Sequence, residues 1–229
     1  MCRARARGAT RRRHDSRSLR CGYRNKVTAE PRAVGLLMSP AVIGFDMFDR
    51  ARSDFERRLQ LVTPADWPRP TPCPPWTVRD LVNHVVCGNW RYVALLAGAA
   101  GNAVKPGHDE DALGDDPSAS FMTGADTVAS AFRERGAMER VVHHRSGDMP
   151  GERLFVLRVA EFAIHGWDLA KSVGGDTAIN VAVAEWLNDV LTPILPTLAQ
   201  FGFYATAVAP VPSGATSQER LLHLVGRDP

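Results

Sequence analysis

Glu161 and His165 stand four residues apart in "RVAEFAIHGWDLA", residues 158 to 170, among Val159, Phe162, Ile164, Trp167 and Leu169. Four residues make about one helical turn, so the carboxylate and the imidazole project from one side of a helix, with Cβ atoms roughly 5–6 Å apart. Leu154, Leu157 and Leu169 share or border that face. A carboxylate buried there alone would cost several kcal/mol or keep its proton. A divalent cation is a partner that satisfies the carboxylate and also accepts a neutral imidazole. Helix bundles build such sites from side chains on facing helices. His84 is placed to supply a third ligand, since it sits in line with Leu81, Gly88 and Leu95 on another apolar surface. Three N/O ligands leave one coordination position open, as in a catalytic rather than a structural zinc site. On spacing alone a second reading stands beside this one. An ExxxH pair lacks the strictness of HExxH, and Glu161 and His165 can also hydrogen-bond within one helix.

Other polar residues divide in the same way. Asp168 either orients a ligand imidazole, because a ligating His donates its other N–H to an oxygen, or it caps or salt-bridges at the helix surface. Cys87, three residues after His84, could approach a metal, although free cysteine more often packs into a core. Cys73 sits in a proline-rich loop with no evident partner. His143 and His144 read as solvent or loop contacts, and Gln218, Glu219 and Arg220 as the exposed face of a helix. Arg79, Asn83 and Arg91 could meet an acidic substrate or a thiol ligand, but the sequence leaves their direction open.

The elements that must position these residues are helical. Ile43, Met47, Phe48, Ala51, Phe55, Leu59 and Val62 recur at three- and four-residue steps, which predicts a first helix. "TPADWPRPTPCPPW" then breaks the chain, since no helix runs through so many prolines. Thr77 with Asp80 reads as a capping box opening a second helix over roughly 78 to 97. Residues 99 to 117 read as a loop, and a third helix is expected over about 118 to 138. "VVHHRSGDMPG" is a turn-bearing connection with a short extended piece at Val141 to His143. The fourth helix is expected over about 152 to 173, closed by Gly174 and Gly175. A fifth begins near Asn180 and is kinked or ended by Pro193 and Pro196, and a short amphipathic helix follows. The sum is an all-α domain, an up-and-down four-helix bundle with additional C-terminal helices.

Charge is unevenly placed. Residues 1 to 37 hold ten Arg and one Lys against Asp15 and Glu30, a balance of +9, so the remainder carries about −6 of the net +3. Such an arm binds nucleic acid in some proteins, but with Tyr23 as its one aromatic and no periodicity it reads as a solvated leader. An upstream extension of the reading frame, ahead of a start at Met38 or Met47, is the other expectation. The acidic remainder argues against nucleic acid as a partner. The arm lacks the apolar segment of a secretory signal, and no apolar stretch reaches the 18 or so residues of a membrane helix. The four cysteines show neither CxxC spacing nor a regular framework, which excludes a disulfide scaffold and fits a reducing cytoplasm.

"PCPPWTVRDLVNHVV", "EFAIHGWDLAKSVG" and "SQERLLHLVGRDP" resemble segments of the actinobacterial proteins related to mycothiol-dependent maleylpyruvate isomerase. More broadly the chain is similar to the DinB-like superfamily of metal-binding four-helix bundles. The resemblance covers residues 38–229 apart from the first few, with 1–37 as a separate basic arm. It implies a divalent metal, zinc by default, held by His84, Glu161 and His165. It also implies mycothiol as a thiol partner with an electrophilic substrate, hence a transferase or isomerase. A non-catalytic metal-binding or sensor module is the other reading. The isomerase carries a further C-terminal domain where this sequence ends at Pro229, so isomerisation of maleylpyruvate itself is not implied. A homodimer is the ordinary expectation for such a bundle.

Overall fold

Phe48, Ala51, Phe55 and Leu59 are buried along one side of α1, Phe45–Leu59, because their spacing puts them on one stripe of the helix. The computed structural model describes residues 44–100, 110–196 and 211–229. The basic arm and the expectations attached to it lie outside those residues. After α1 one more turn carries the chain to Val62, ahead of the prolines. The second helix, α2, spans Val78–Leu96 and opens as expected. The Thr77 hydroxyl accepts from the Asp80 backbone N–H, while the Asp80 carboxylate accepts from the Thr77 backbone N–H at 2.9 Å.

The third helix, α3, is Pro117–Arg133, with Asp116 as N-cap and proline in the first turn. It stops short of the expected 138, because Glu134 leaves helical conformation at ψ 143° and Gly136 turns at φ 80°. The expected short extended piece is one arm of a hairpin. Strand β1, Val141–His144, pairs antiparallel with β2, Gly147–Pro150, and Val142 lies opposite Met149. Then α4 runs over Gly151–Val173 and ends on Gly174 at φ 73°, the left-handed cap its glycine pair announced. Gly151 is required by close approach, since a Cβ there would lie 2.0 Å from the Ala137 carbonyl oxygen. Among the described residues two further helices follow, α5 at Val181–Leu191 and α6 at Ser217–Leu224, the latter with a Thr216/Glu219 capping box.

Helix α1 packs on α4 and α3, and α2 packs on α3 and α4, so the four close a ring. This is the expected four-helix bundle, and apart from the hairpin the described secondary structure is helical. The axis of the bundle is filled by aromatic rings. Phe48 stacks on Phe155 at 5.6 Å and meets Phe162 edge-on at 5.4 Å, and Phe55 lies 4.8 Å from Phe121. Helix α5 leans on α4 and α1, and α6 on α5. Among the described residues no helix is long and apolar enough to cross a membrane.

Because Phe48 is wholly buried between three helices, Phe48→Ala is expected to lower unfolding free energy by about 3–5 kcal/mol. Urea denaturation followed by circular dichroism checks it.

Candidate metal centre

Burial of one face of α4 against α2 brings the sequence-predicted trio into one neighbourhood. His84 Nε2 lies 3.9 Å from Glu161 Oε1, and the His84 and His165 rings meet edge-on with centroids 5.2 Å apart. Two ligands each 2.0–2.1 Å from a tetrahedral zinc sit about 3.3 Å apart, so His84 and Glu161 need close by only about half an ångström. All three side chains keep a rim of exposure, 12% for His84, 17% for Glu161 and 12% for His165. Trp76, carried in by the proline-rich loop, lies over the His84 ring at 4.6 Å and 6.1 Å from that of His165.

Each end of this trio is anchored. His165 Nδ1 stands 3.0 Å from Asp168 Oδ2, one turn further along α4. A carboxylate can only accept, so Nδ1 is the donor, which in the neutral imidazole leaves the lone pair on Nε2. Of the two readings of Asp168, the geometry is that of orienting the imidazole. Asp168 is fully buried and accepts from Arg227 at 2.8 Å and 3.0 Å. Burial alone would raise its carboxyl, but the hydrogen bonds from His165 and Arg227 outweigh this and hold it at about 2. At the other end Arg158 Nη1 lies 3.0 Å from Glu161 Oε2.

The sequence left Cys73 without a partner; the structure corrects this. Its Sγ donates to Asp168 Oδ2 at 3.3 Å and accepts from Arg227 Nη2 at 2.7 Å. Cys73, His165 and Asp168 form a group whose ligand-capable atoms lie within 4.8 Å of one another. Arg227 already provides the positive charge there, touching both the thiol and the carboxylate, so this group is better explained as an ion-paired clamp than as a cation site. Arg227 was missed in the sequence. Its signal was indirect: a charge on an otherwise apolar helical face, Asp168, demanded a cation from elsewhere.

Two further expectations, on His144 and Gln218, are corrected, and the direction left open for Arg79, Asn83 and Arg91 is settled. His144 is buried, because β1 alternates and turns Val142 and His144 inward, while His143 stays out and meets Asp148 at 2.9 Å. Gln218 is not simply an exposed-face residue: it accepts from the Ile179 N–H at 2.7 Å and donates to the Thr177 carbonyl, tying α6 to the segment ahead of α5. Arg79 and Asn83 are engaged with the chain itself. Arg79 pairs with Asp111 at 2.7 Å, and Asn83 bridges the Glu110 carbonyl and the Ala112 N–H. Arg91 is buried, and burial lowers its guanidinium against the opposing pull of Glu161. Cys87 is a core residue, and burial pushes its thiol up.

The family model described as mycothiol maleylpyruvate isomerase N-terminal domain matches residues 48–170, which holds all three members of the trio. Uncharacterised proteins from two strains of Mycobacterium tuberculosis are 30% identical over 135 residues, covering 59% of this chain and 70% of theirs. Among solved structures, the mycothiol-dependent maleylpyruvate isomerase and a histidine-to-alanine mutant of it superpose with a TM-score of 0.51. They share 19% identity over 64% of this chain and 67% of theirs, a likeness of fold.

His144 gives the site's surroundings a pH signature. Burial, with the Arg145 charge next, pushes its imidazole from 6.5 down to about 4. A base whose folded value is depressed contributes stability that is whole above its unfolded value and is lost as pH falls toward the folded one. The window is therefore pH 6.5 to 4, and His144→Gln should flatten the stability slope there, by at most ~3 kcal/mol. Denaturation midpoints measured at several pH values check it.

Proposed function

This chain belongs to the mycothiol maleylpyruvate isomerase N-terminal domain family, and from that premise we propose that it uses a divalent metal on His84, Glu161 and His165 to activate a low-molecular-weight thiol. The observation that carries the proposal is the convergence of two imidazoles and a carboxylate from α2 and α4 at a partly open rim. The donor types suit the group, and because the trio's ligand atoms do not all lie within 4.8 Å of one another, binding would draw the three side chains together. His165 is held by Asp168 with Nε2 as an acceptor, and His84 and Glu161 approach each other to within 3.9 Å. Zinc is the first choice for such nitrogen and oxygen donors, and nickel and iron suit them too.

A divalent metal held by three protein ligands supplies a positive centre that keeps a thiol as its thiolate at neutral pH. The protein's own part is to hold that centre and to keep one side of it accessible. Asp168 and Arg227 fix the His165 ring, and Trp76 shields His84 from solvent on one side. A thiolate presented at the rim would add to the electrophilic carbon of a polarised double bond, whose π electrons shift to the neighbouring atom and take up the proton released by the thiol. The outcome is transfer of the thiol, or isomerisation when addition is followed by elimination. Mycothiol is the proposed thiol, after the mycothiol-dependent enzyme whose fold this chain shares. We place the activity in the reducing cytoplasm, where such a thiol persists.

Elemental analysis of the purified chain should find about one divalent metal per molecule, as three-ligand sites hold a single ion. His84→Ala and His165→Ala should each abolish it. Mycothiol titrated into the metal-loaded protein should bind saturably, and chelation should remove that binding. Metal retained in both variants would overturn the site. Metal without any thiol binding would overturn the catalytic reading in favour of a metal-binding or sensor module.

A further inference from the structure

A carboxylate has two oxygens to offer a cation, and one oxygen of Glu161 is already engaged. Its Oε1 lies 3.9 Å from His84 Nε2, while its Oε2 lies 3.0 Å from Arg158 Nη1, nearly one turn back along α4. The Arg158 guanidinium is wholly buried. Its carbon sits 4.2 Å from the ring centre of Phe162 and 5.3 Å from that of Tyr92, so two aromatic faces carry its charge in place of water. Its contact with Glu161 is an ion pair without hydrogen-bond alignment, and none of its nitrogens has a hydrogen-bond partner among the described residues. A guanidinium in this condition adds little to folding, because burial costs it its hydration and nothing replaces the lost hydrogen bonds.

Space for that guanidinium comes from a glycine in the middle of α2. A Cβ at Gly88 would lie 2.2 Å from Arg158 Nη1, 3.3 Å from its central carbon and 3.4 Å from Glu161 Oε2. Glycine inside a helix costs stability relative to alanine. Both halves of the pair thus cost stability, and what they jointly achieve is a cation 3.0 Å from Oε2, a buried oxygen that accepts no hydrogen bond among the described residues.

We propose that Gly88 and Arg158 form a positioning device that holds Glu161 Oε2 off the metal, so that the carboxylate presents Oε1 alone and the position meant for the thiol stays open. This rests on the metal reading given above. Without the guanidinium, Oε2 would be a buried carboxylate oxygen with no cation in direct contact except the metal, Arg91 acting on Glu161 only through its field. It would then turn to the metal and occupy the coordination position that the thiol needs. The guanidinium also shares the charge of the carboxylate, which leaves the metal a stronger acceptor for a thiolate.

The test uses the full chain loaded with cobalt(II), whose visible spectrum reports coordination number, and N-acetylcysteine as the thiol probe. Arg158→Met, which suits the aromatic sandwich, should still bind cobalt while its spectrum moves toward higher coordination. Its affinity for N-acetylcysteine should fall by at least ~10-fold, the usual scale for a residue supporting a metal ligand. Gly88→Ala should do the same by displacing the guanidinium, and the double variant should be no worse than Arg158→Met alone, because the two residues act through one contact. Arg158→Lys, which keeps the charge, should recover part of the thiol affinity. An unchanged spectrum and thiol affinity in Arg158→Met, with the parent binding cobalt through His84 and His165, would overturn this inference alone. So would loss of cobalt, thiol and thermal stability together, the pattern of a merely structural residue. Failure of the parent chain to bind cobalt would overturn the metal reading, and the inference with it.

Discussion

A charge carried into a helix bundle must be met by another charge, a polar partner or an aromatic face, and the middle of α4 carries a ladder of four titratable side chains. Arg158, Glu161, His165 and Asp168 follow one another at three- and four-residue steps. Each is answered: Arg158 by Phe162, Tyr92 and Glu161, Glu161 by Arg158 and His84, His165 by Asp168, and Asp168 by Arg227 and Cys73. The ladder accounts for several features outside α4. It explains a glycine at 88 on the facing helix, a proline-rich loop that delivers Cys73 and Trp76, and a C-terminal segment that returns to put Arg227 on Asp168.

The ladder also separates two groups that look alike by composition. Cys73, His165 and Asp168 are the closer cluster, yet a guanidinium already sits against two of them, and Asp168 is committed to His165 and Arg227. The trio of His84, Glu161 and His165 is looser, but its two imidazoles and one carboxylate face a rim that solvent reaches. Committed hydrogen bonds, more than charge or proximity, distinguish them, since each carboxylate has a guanidinium beside it, Arg227 on Asp168 and Arg158 on Glu161. Both oxygens of Asp168 already accept hydrogen bonds, while Glu161 Oε2 accepts none among the described residues.

Much of this was legible before any coordinates. The Thr77/Asp80 capping box, the glycine stop after α4 and the heptad-like run of phenylalanines and leucines in α1 are local signals, and the helices begin and end close to where those signals fall. The end of α3 was misjudged, because "RERGAM" keeps a helical composition while its backbone has already turned at Glu134. His144 was misplaced because two adjacent histidines carry no indication of strand alternation until a partner strand pairs with them.

Local spacing along the chain determined that Glu161 and His165 share a face, that His84 lies on an apolar stripe of another helix, and that both helices belong to a bundle. These follow from the 3.6-residue period and need no knowledge of neighbours. Only the tertiary structure decided which nitrogen of His165 is left with its lone pair, which oxygen of Glu161 is engaged, and why residue 88 has no side chain. Those depend on Arg158, Asp168, Arg227 and Gly88 meeting across helices and loops. Contacts between residues as far apart as Cys73 and Arg227 leave no periodic trace in a single sequence.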